Sequence, residues 1–345
     1  MELAQFDYDL PPSAIAQEPA TPRDASRLLV LDRARGTWED RLFGDLPDLL
    51  RPGDCLVVNE SRVIPARLVG ARADDGRSVE LLLVREIAPG RWEALTRPAR
   101  RCGLGTRVAL GGGAAHAVIA GEGALGTRVV TFESPWPVRE LLERHGLPPL
   151  PPYIARHAAP RREDRERYQT VYARAEGSVA APTAGLHFTP ALLDRIRARG
   201  VEVHALTLHV GPGTFRPVKT ATVEAHRMDG ESVDIPDSTA GAVSRARATG
   251  RRVVAVGTTT TRALEWAAGA DGTVAAGAGW ADLFIHPPYT FRVVDALLTN
   301  FHLPRSTLLM LVAALAGRDR VLAAYEHAVK AGYRFYSYGD AMLVA

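Results

Sequence analysis

The sequence is poor in cysteine and has no long apolar run. Cys55 and Cys102 are the two cysteines among 345 residues, so a disulfide framework and a cysteine-based zinc site are excluded. The longest apolar run, Leu308–Ala316, is too short to cross a bilayer. The first ten residues carry acids and lack the apolar stretch of a signal peptide. We therefore expect a cytoplasmic protein in a reducing compartment.

Lysine is also scarce. Lys219 and Lys330 are the two lysines, and the other basic residues among the 42 are arginines. The formal net charge is +3 and the pI is about 9.0. Guanidinium groups suit phosphate and base contacts with a nucleic acid, but a general bias toward arginine gives the same count. Composition alone therefore leaves RNA binding open.

The succession of strand-like and helix-like segments predicts two domains. After residue 177 the two types alternate, which is typical of an α/β layer with a largely parallel sheet and flanking helices; residues 282–291 and 294–300 are expected there as strands. Residues 68–132 hold short strand-like segments with glycine-rich turns, which favours a small antiparallel β-barrel. We expect an α/β catalytic domain of residues 1–66 and 150–345, and an inserted β-barrel-like domain of residues 67–149.

One segment matches a dinucleotide-binding pattern literally. Gly121, Gly123 and Gly126 fit G-x-G-x-x-G, but such a site needs a strand before the glycines and a helix after them. Here strand-like residues lie on both sides. We therefore expect a hairpin turn and no nucleotide site.

Five polar segments lie at predicted junctions between strands and helices. In open α/β sheets such junctions gather at the carboxyl ends of the strands, where ligands bind. A threonine run before a helix, or a lone loop histidine, is more often structural, but five segments at one edge indicate a ligand site. Their polar residues are Thr183, Gly185 and His187; His209 and Thr214; Thr258 and Thr259; Asn300, His302 and Arg305; and Tyr338 and Asp340.

The residue types present limit the chemistry of this site. His204 and His209 are five apart on one predicted strand, hence on opposite faces, and no cysteine pair or HExxH helix occurs, so no metal site is expected. No G-x-S-x-G segment is present, and neither cysteine has a flanking histidine. Hydroxyls, imidazoles and carboxylates remain, and these suit proton transfer and the binding of a polar ligand.

Segments spread from Phe6 to Val344 resemble one enzyme family. They include "GDCLVVNESRVIPARL", "VAAPTAGLHFTPALL", "TLHVGPGTFRPV", "AVGTTTTRALE", "TNFHLPRSTLLMLVAALAG" and "YRFYSYGDAMLV". In this order they resemble the S-adenosylmethionine:tRNA ribosyltransferase-isomerases of queuosine biosynthesis. The predicted barrel is the least distinctive part, and Asp229 stands where the family usually has histidine.

The resemblance implies a transferase activity. Members of this family transfer and isomerise the ribosyl moiety of S-adenosylmethionine onto 7-aminomethyl-7-deazaguanine at the tRNA wobble position. The product is epoxyqueuosine, and adenine and methionine leave. S-adenosylmethionine is then a consumed substrate, and no cofactor or metal is expected. The expected partners are S-adenosylmethionine and a tRNA with a queuosine-type anticodon, with no membrane and a monomeric protein.

The same resemblance gives roles to the polar segments. The sulfonium acidifies the C5′ hydrogens of the ribose, so a base of near-neutral pKa can remove one. His187 or His209 is the expected base, His302 its proton partner or a ligand to the ribose, and Glu231 a further catalytic carboxylate. The residues expected to hold hydroxyls, the amine or the methionine carboxylate are Thr183, Gly185, Thr214, Thr258, Thr259, Asn300, Tyr338 and Asp340.

The tRNA would be held by arginines and an aromatic ring. An anticodon loop presents bases that can splay out into a pocket, and aromatic side chains stack on such bases. The residues expected to contact RNA are Arg62, Arg156, Arg162, Arg165 and Tyr168.

Two alternative functions remain open. A diverged relative would cleave S-adenosylmethionine but modify a free deazapurine or another amine, and would not bind anticodon stem-loop RNA. A non-catalytic RNA-binding relative would be stabilised by S-adenosylmethionine without releasing adenine.

Overall fold

A computed structural model describes residues 1–156, 161, 163–211, 213 and 218–345, except for the side chain of residue 125. Within these residues the chain forms seventeen strands and eight α-helices, numbered here in chain order. The strands of the large sheet are β1 (Arg27–Asp32), β2 (Thr37–Leu42), β3 (Cys55–Asn59), β12 (Glu202–Leu208), β13 (Glu231–Ile235), β14 (Val253–Val256), β15 (Gly277–Ala281), β16 (Ala296–Asn300) and β17 (Ala341–Val344).

The remaining strands form a barrel and a two-stranded ladder. The barrel strands are β5 (Arg67–Arg72), β6 (Ser78–Ala88), β7 (Arg91–Arg97), β8 (Arg107–Leu110), β9 (Ala115–Glu122) and β10 (Arg128–Glu133), and the ladder pairs β4 (Ser61–Val63) with β11 (Ala175–Ser178). The helices are α1 (Leu46–Leu49), α2 (Val138–His145), α3 (Asp164–Arg167), α4 (Pro190–Ala198), α5 (Asp237–Ala248), α6 (Thr258–Trp266), α7 (Thr307–Ala316) and α8 (Arg318–Lys330). Short 3₁₀-helices occur as well, and the one used below spans Thr183–His187.

The strand order of the large sheet sets where its loops meet. The order is β15-β13-β12-β3-β14-β16-β17-β1-β2, and the central strands β12, β3, β14 and β16 run parallel. Strand β17 is antiparallel to β16, and β1 runs parallel to β17. The carboxyl ends of the four central strands and the amino ends of β17 and β1 therefore share one edge, called the site edge below.

Both faces of the sheet are covered by helices. Strands β3, β14 and β16 are buried at every residue, as expected for parallel strands packed on both sides. Val243 of α5, Leu264 of α6 and Leu309 of α7 belong to the core on one face, whereas Leu193 and Ile196 of α4 belong to the core on the other. The predicted fold class, an α/β sheet with flanking helices and a small antiparallel barrel, is confirmed.

The barrel closes through antiparallel pairings in the order β10-β7-β6-β5-β8-β9. Closure leaves no unpaired strand edge, and the interior is filled by side chains such as Leu68, Leu81 and Val108. Strands β9 and β10 pair directly across the glycine-rich segment, which confirms the predicted hairpin turn. The limits of the two predicted domains stay a prediction.

Helices α4 and α7 both begin at a capping side chain. Thr189 and Ser306 accept hydrogen bonds from backbone nitrogens of the first turns of α4 and α7, at 3.1 and 3.2 Å.

The predicted strand over residues 282–291 is wrong, because that segment forms no strand. Pro287 and Pro288 lack the backbone N–H groups that a strand would donate to its neighbour. No described helix is long and apolar enough to cross a membrane.

Candidate active site

Polar loops meet in one cleft at the site edge. Its volume is about 550 Å³ when the open mouth is included. Aromatic and aliphatic walls are provided by Tyr153, Phe301, Leu308 and Tyr336. The predicted site residues that line this cleft are Thr183, Thr258, Thr259, Asn300 and His302.

The threonine run at the start of α6 divides into two pairs. The hydroxyls of Thr260 and Thr261 donate to backbone carbonyls of the preceding turn, at 2.7 and 3.1 Å. Thr258 and Thr259 line the cleft instead. Gly257 precedes them with a φ of 91°, a conformation that favours glycine. The first turn of α6 thus presents hydroxyls and helix N–H groups to a ligand, an arrangement that suits an anion.

His302 lines the cleft as a neutral imidazole. Its Nε2 lies 3.2 Å from Oγ1 of Thr299, and its Nδ1 lies 3.3 Å from the hydroxyl of Tyr325. Burial lowers the pKa of His302 to about 3, because a charged ring would lose its water there. Both ring nitrogens therefore have hydroxyl partners, and the ring carries no charge near neutral pH.

His187 is close to the cleft but does not line it. Its Nδ1 lies 2.7 Å from Oγ of Ser26, and its Nε2 lies 3.2 Å from Nδ2 of Asn300. The ring stacks on Phe43 with centroids 4.8 Å apart. Burial lowers the pKa of His187 to about 4. The side chain therefore touches the cleft through Asn300.

His209 follows β12 and is the least buried of the three rings. Burial lowers its pKa, and its Nδ1 has no hydrogen-bond partner within the described part of the chain. The ring packs on Gly177, where a Cβ atom would lie 3.0 Å from Cε1 of His209. The neighbouring Val210, rather than His209, lines the cleft.

Comparisons with known proteins agree with these features. Residues 3–344 match the family described as queuosine biosynthesis protein. The chain belongs to the queuosine biosynthesis protein family. It is 54% identical to an S-adenosylmethionine:tRNA ribosyltransferase-isomerase of Moorella thermoacetica over the full length of both chains. It is 57% identical to the protein of that name from Anaeromyxobacter sp., covering 100% of this chain and 99% of the relative. The membership expected from the sequence is confirmed.

A solved structure supports the same assignment. The chain is 41% identical to an S-adenosylmethionine tRNA ribosyltransferase from Thermotoga maritima, known from a crystal structure. The likeness covers 99% of this chain and 100% of that chain, with a TM-score of 0.57. The architecture of the family member described here is therefore also the architecture of a relative.

Glu231 of this family member lies outside the cleft. Its Oε2 is 2.5 Å from Nη1 of Arg262, and both side chains are buried. Its Oε1 accepts a hydrogen bond from the backbone nitrogen of Gly211 at 2.8 Å. Arg262 donates further to the carbonyls of Ala281 and Leu283. This geometry is that of a supporting ion pair, and the catalytic role of Glu231 stays a prediction.

Three other predicted ligand-binding residues also lie away from the cleft. A Cβ atom on Gly185 would lie 2.1 Å from the hydroxyl of Tyr172, so the glycine permits close packing. The carboxylate of Asp340 accepts from the backbone nitrogens of Arg27 and Arg334. Tyr338 is buried in a small apolar cluster beside the cleft. Thr214 lies outside the described residues.

The predicted RNA contacts separate into two groups. Arg62, Arg165 and Tyr168 line a second cavity of the described structure. Arg156 is buried against the carboxylate of Asp164, with Nε and Oδ2 3.2 Å apart, which indicates a structural role. Arg162 lies outside the described residues. The RNA-binding role of all four arginines stays a prediction.

Sequence reasoning missed several cleft residues. Thr299, Tyr336 and Ser337 line the cleft, and Ser26 reaches it through His187. Tyr336 adopts a φ of 77°, which is uncommon for a residue with a side chain and is often found at functional sites. Nothing in a single sequence marks such a backbone conformation. Thr299 could have been found, because it immediately precedes Asn300 at the end of β16.

Proposed function

We propose that this chain transfers and isomerises the ribosyl moiety of S-adenosylmethionine onto 7-aminomethyl-7-deazaguanine at the tRNA wobble position. Epoxyqueuosine, adenine and methionine are the products. Family membership makes the chain a transferase of queuosine biosynthesis. The observation that carries the proposal is the cleft itself, which joins a helix N-terminus, aromatic walls and the buried imidazole of His302 at one sheet edge.

The cleft offers a place for each part of S-adenosylmethionine. The N–H groups at the start of α6, with Thr258 and Thr259, suit the methionine carboxylate. Tyr153 and Tyr336, whose ring centroids are 4.0 Å apart, form an aromatic wall suited to a purine ring. The ribose and sulfonium then lie between these two ends, near Asn300 and His302.

The reaction begins with loss of a C5′ proton, which the adjacent sulfonium acidifies. Adenine then leaves with a proton, the amine of the tRNA base attacks, and a ribose oxygen closes the epoxide as methionine departs. We assign proton abstraction to His209, because it adjoins Val210 of the cleft lining and its Nδ1 has no hydrogen-bond partner among the described residues. The pKa values of His187 and His302 are low, at about 4 and 3, and both rings are hydrogen-bonded inside the protein. His302 is the proposed proton partner.

Several further predictions belong to this proposal. Among the described residues, no group of three histidines, cysteines or carboxylates could hold a metal ion. We propose that the reaction uses no metal or cofactor, which activity in excess EDTA would test. A tRNA with a queuosine-type anticodon, a monomeric enzyme and a cytoplasmic location also stay predictions, and light scattering would test the oligomeric state.

One incubation tests the function against its alternatives. The protein is mixed with S-adenosylmethionine and tRNA carrying the aminomethyl base, and the wobble nucleoside is analysed by mass spectrometry. Epoxyqueuosine together with free adenine is the expected result. Adenine release with a free deazapurine but not with tRNA supports the diverged relative. Thermal stabilisation by S-adenosylmethionine without any adenine supports the non-catalytic RNA-binding protein.

A further inference from the structure

The side-chain amide of Asn300 has a fixed orientation. One of its atoms lies 3.1 Å from the backbone carbonyl of Tyr336. A carbonyl oxygen only accepts hydrogen bonds, so the atom that faces it must be the amide nitrogen Nδ2. The same Nδ2 lies 3.2 Å from Nε2 of His187. Both amide protons therefore have partners inside the protein.

The oxygen of this amide, Oδ1 of Asn300, has no hydrogen-bond partner among the described residues. Asn300 is 3% exposed and lines the cleft, and no described residue donates a hydrogen bond to its Oδ1. A buried carbonyl oxygen without a donor is costly, and most such atoms in native proteins are paired. An unpaired acceptor at a ligand cleft therefore indicates a ligand that donates a hydrogen bond.

The residues behind Asn300 set its orientation. Because Nδ2 donates to His187, Nε2 of that ring must accept, and the ring proton then lies on Nδ1. Nδ1 is 2.7 Å from Oγ of Ser26, which accepts this proton. Stacking on Phe43 holds the plane of the ring. A neutral His187 thus keeps Nδ2 turned toward His187 and Tyr336, which leaves Oδ1 as the amide atom of this cleft-lining side chain that has no partner among the described residues.

We propose that Oδ1 of Asn300 accepts a hydrogen bond from the nucleoside of S-adenosylmethionine, and that His187 is a positioning residue which orients this amide. The inference rests on the proposed function, which supplies the ligand. The nucleoside offers two kinds of donor, the ribose hydroxyls and the adenine amino group. A site with a buried acceptor rejects an analogue that lacks the matching donor, so Asn300 also contributes specificity.

Equilibrium binding tests the role of Asn300. Dissociation constants are measured for S-adenosylmethionine and for analogues that lack the 2′-hydroxyl, the 3′-hydroxyl or the 6-amino group. We expect the wild-type protein to bind one analogue roughly 10- to 100-fold more weakly. Asn300→Ala should weaken the binding of S-adenosylmethionine by a similar factor. The variant should then bind S-adenosylmethionine and that analogue equally well. The matched control is Thr96→Val, which removes a buried hydroxyl of the barrel that also lacks a partner among the described residues and should leave these constants unchanged.

The outcomes separate this inference from the proposed function. If the wild-type protein does not bind S-adenosylmethionine, the proposed function fails. If it binds, but Asn300→Ala retains every preference of the wild type, the inference alone is overturned. The analogue series on the wild type needs no variant, so equal affinity for all four ligands overturns the inference even if Asn300→Ala does not fold.

Two substitutions test the positioning role of His187. Gln can place an oxygen near the position of Nε2, but it cannot act as a base, whereas Leu offers no acceptor. We expect His187→Gln to keep the wild-type dissociation constant within about threefold and to retain turnover. His187→Leu should weaken the binding of S-adenosylmethionine as much as Asn300→Ala does. The double variant His187→Leu/Asn300→Ala should bind it no more weakly than Asn300→Ala alone. Loss of turnover in both variants with unchanged binding would instead place His187 in the chemistry.

Discussion

Arg262 and Glu231 form a buried ion pair, with 2.5 Å between Nη1 and Oε2 and with 4% and 5% of the side chains exposed. Arg262 lies on α6, whose first turn lines the cleft, and Glu231 begins β13 and also holds Gly211. The pair therefore ties the helix of the cleft to the loop that follows His209. A charge pair in this position supports the site from behind.

The first prediction concerns the stability of this pair. Replacing one partner leaves an uncompensated buried charge, so we expect Arg262→Met to lower the free energy of unfolding by about 3–5 kcal/mol. Glu231→Leu combined with Arg262→Met should recover part of that loss. Urea denaturation measures both effects. Asp319→Ala, at an ion pair whose carboxylate is 83% exposed, is the control and should have little effect. A Glu231→Gln protein of wild-type stability that releases no adenine would restore the catalytic role.

The second prediction is a loss of stability in mild acid. In the folded protein the pKa values of His187 and His302 are about 4 and about 3, below the ordinary value of 6.5. The unfolded chain therefore binds protons first as the pH falls. The part of the unfolding free energy that depends on these neutral histidines is fully present above pH 6.5. It is lost between pH 6.5 and the folded pKa, by up to about 1.4 kcal/mol per pH unit for each histidine. Urea denaturation from pH 8 to pH 4 measures the slope.

His187→Gln provides the comparison for this slope. It removes one of the histidines whose pKa burial lowers, so its stability should fall less steeply between pH 6.5 and pH 4 than that of the wild type. Equal slopes in the two proteins would show that His187 is not kept neutral by burial.

The third prediction concerns Gly185. A Cβ atom there would lie 2.1 Å from the hydroxyl of Tyr172, which is buried and cannot move away easily. We expect Gly185→Ala to lower the free energy of unfolding by about 1–3 kcal/mol through overpacking. Tyr172→Phe removes the clashing oxygen, so the double variant should regain much of the loss. Calorimetry measures the series; a fully stable Gly185→Ala protein that binds S-adenosylmethionine poorly would point to a ligand contact.

The fourth prediction separates the arginines. Arg62 has no ion-pair partner among the described residues, so Arg62→Ala should weaken tRNA binding and reduce the dependence of log Kd on log salt by about one unit. Its affinity for S-adenosylmethionine should not change. Arg35→Ala is the control, because Arg35 follows β1 at the edge of the sheet opposite the site edge and is 81% exposed. Filter binding at several salt concentrations distinguishes them, and identical salt slopes for both variants contradict the RNA role of Arg62.

The fifth prediction tests His209 as the base. His209→Gln should slow adenine release by about 10²- to 10⁴-fold, the usual contribution of a general base, while the dissociation constant of S-adenosylmethionine stays unchanged. His204→Gln is the matched control, because His204 lies on β12, the strand that His209 follows, and its side chain is 24% exposed. Release of adenine at the wild-type rate by His209→Gln removes His209 from the mechanism.

The amino-acid sequence alone was enough to predict the architecture and the family. Continuous apolar runs such as those of β3 and β14 are typical of parallel strands that helices cover on both faces. The edge strands β2 and β15, and β13 beside β15, were not predicted. Strand β2 is almost wholly exposed and polar, so its conformation is decided by pairing with β1 rather than by its own side chains.

The candidate site was predicted at the level of segments rather than of atoms. The positions of the loops after the predicted strands indicated that Thr258, Asn300 and His302 would lie together, because the carboxyl ends of parallel strands share one edge of a sheet. Which polar atoms face the cleft was decided by tertiary contacts. Glu231 lies against Arg262, His187 lies behind Asn300, and Tyr336, with its positive φ, supplies the carbonyl that orients the Asn300 amide. These relations join residues far apart in the chain, and a pattern of neighbours in sequence contains no information on the partner that each buried polar atom will find.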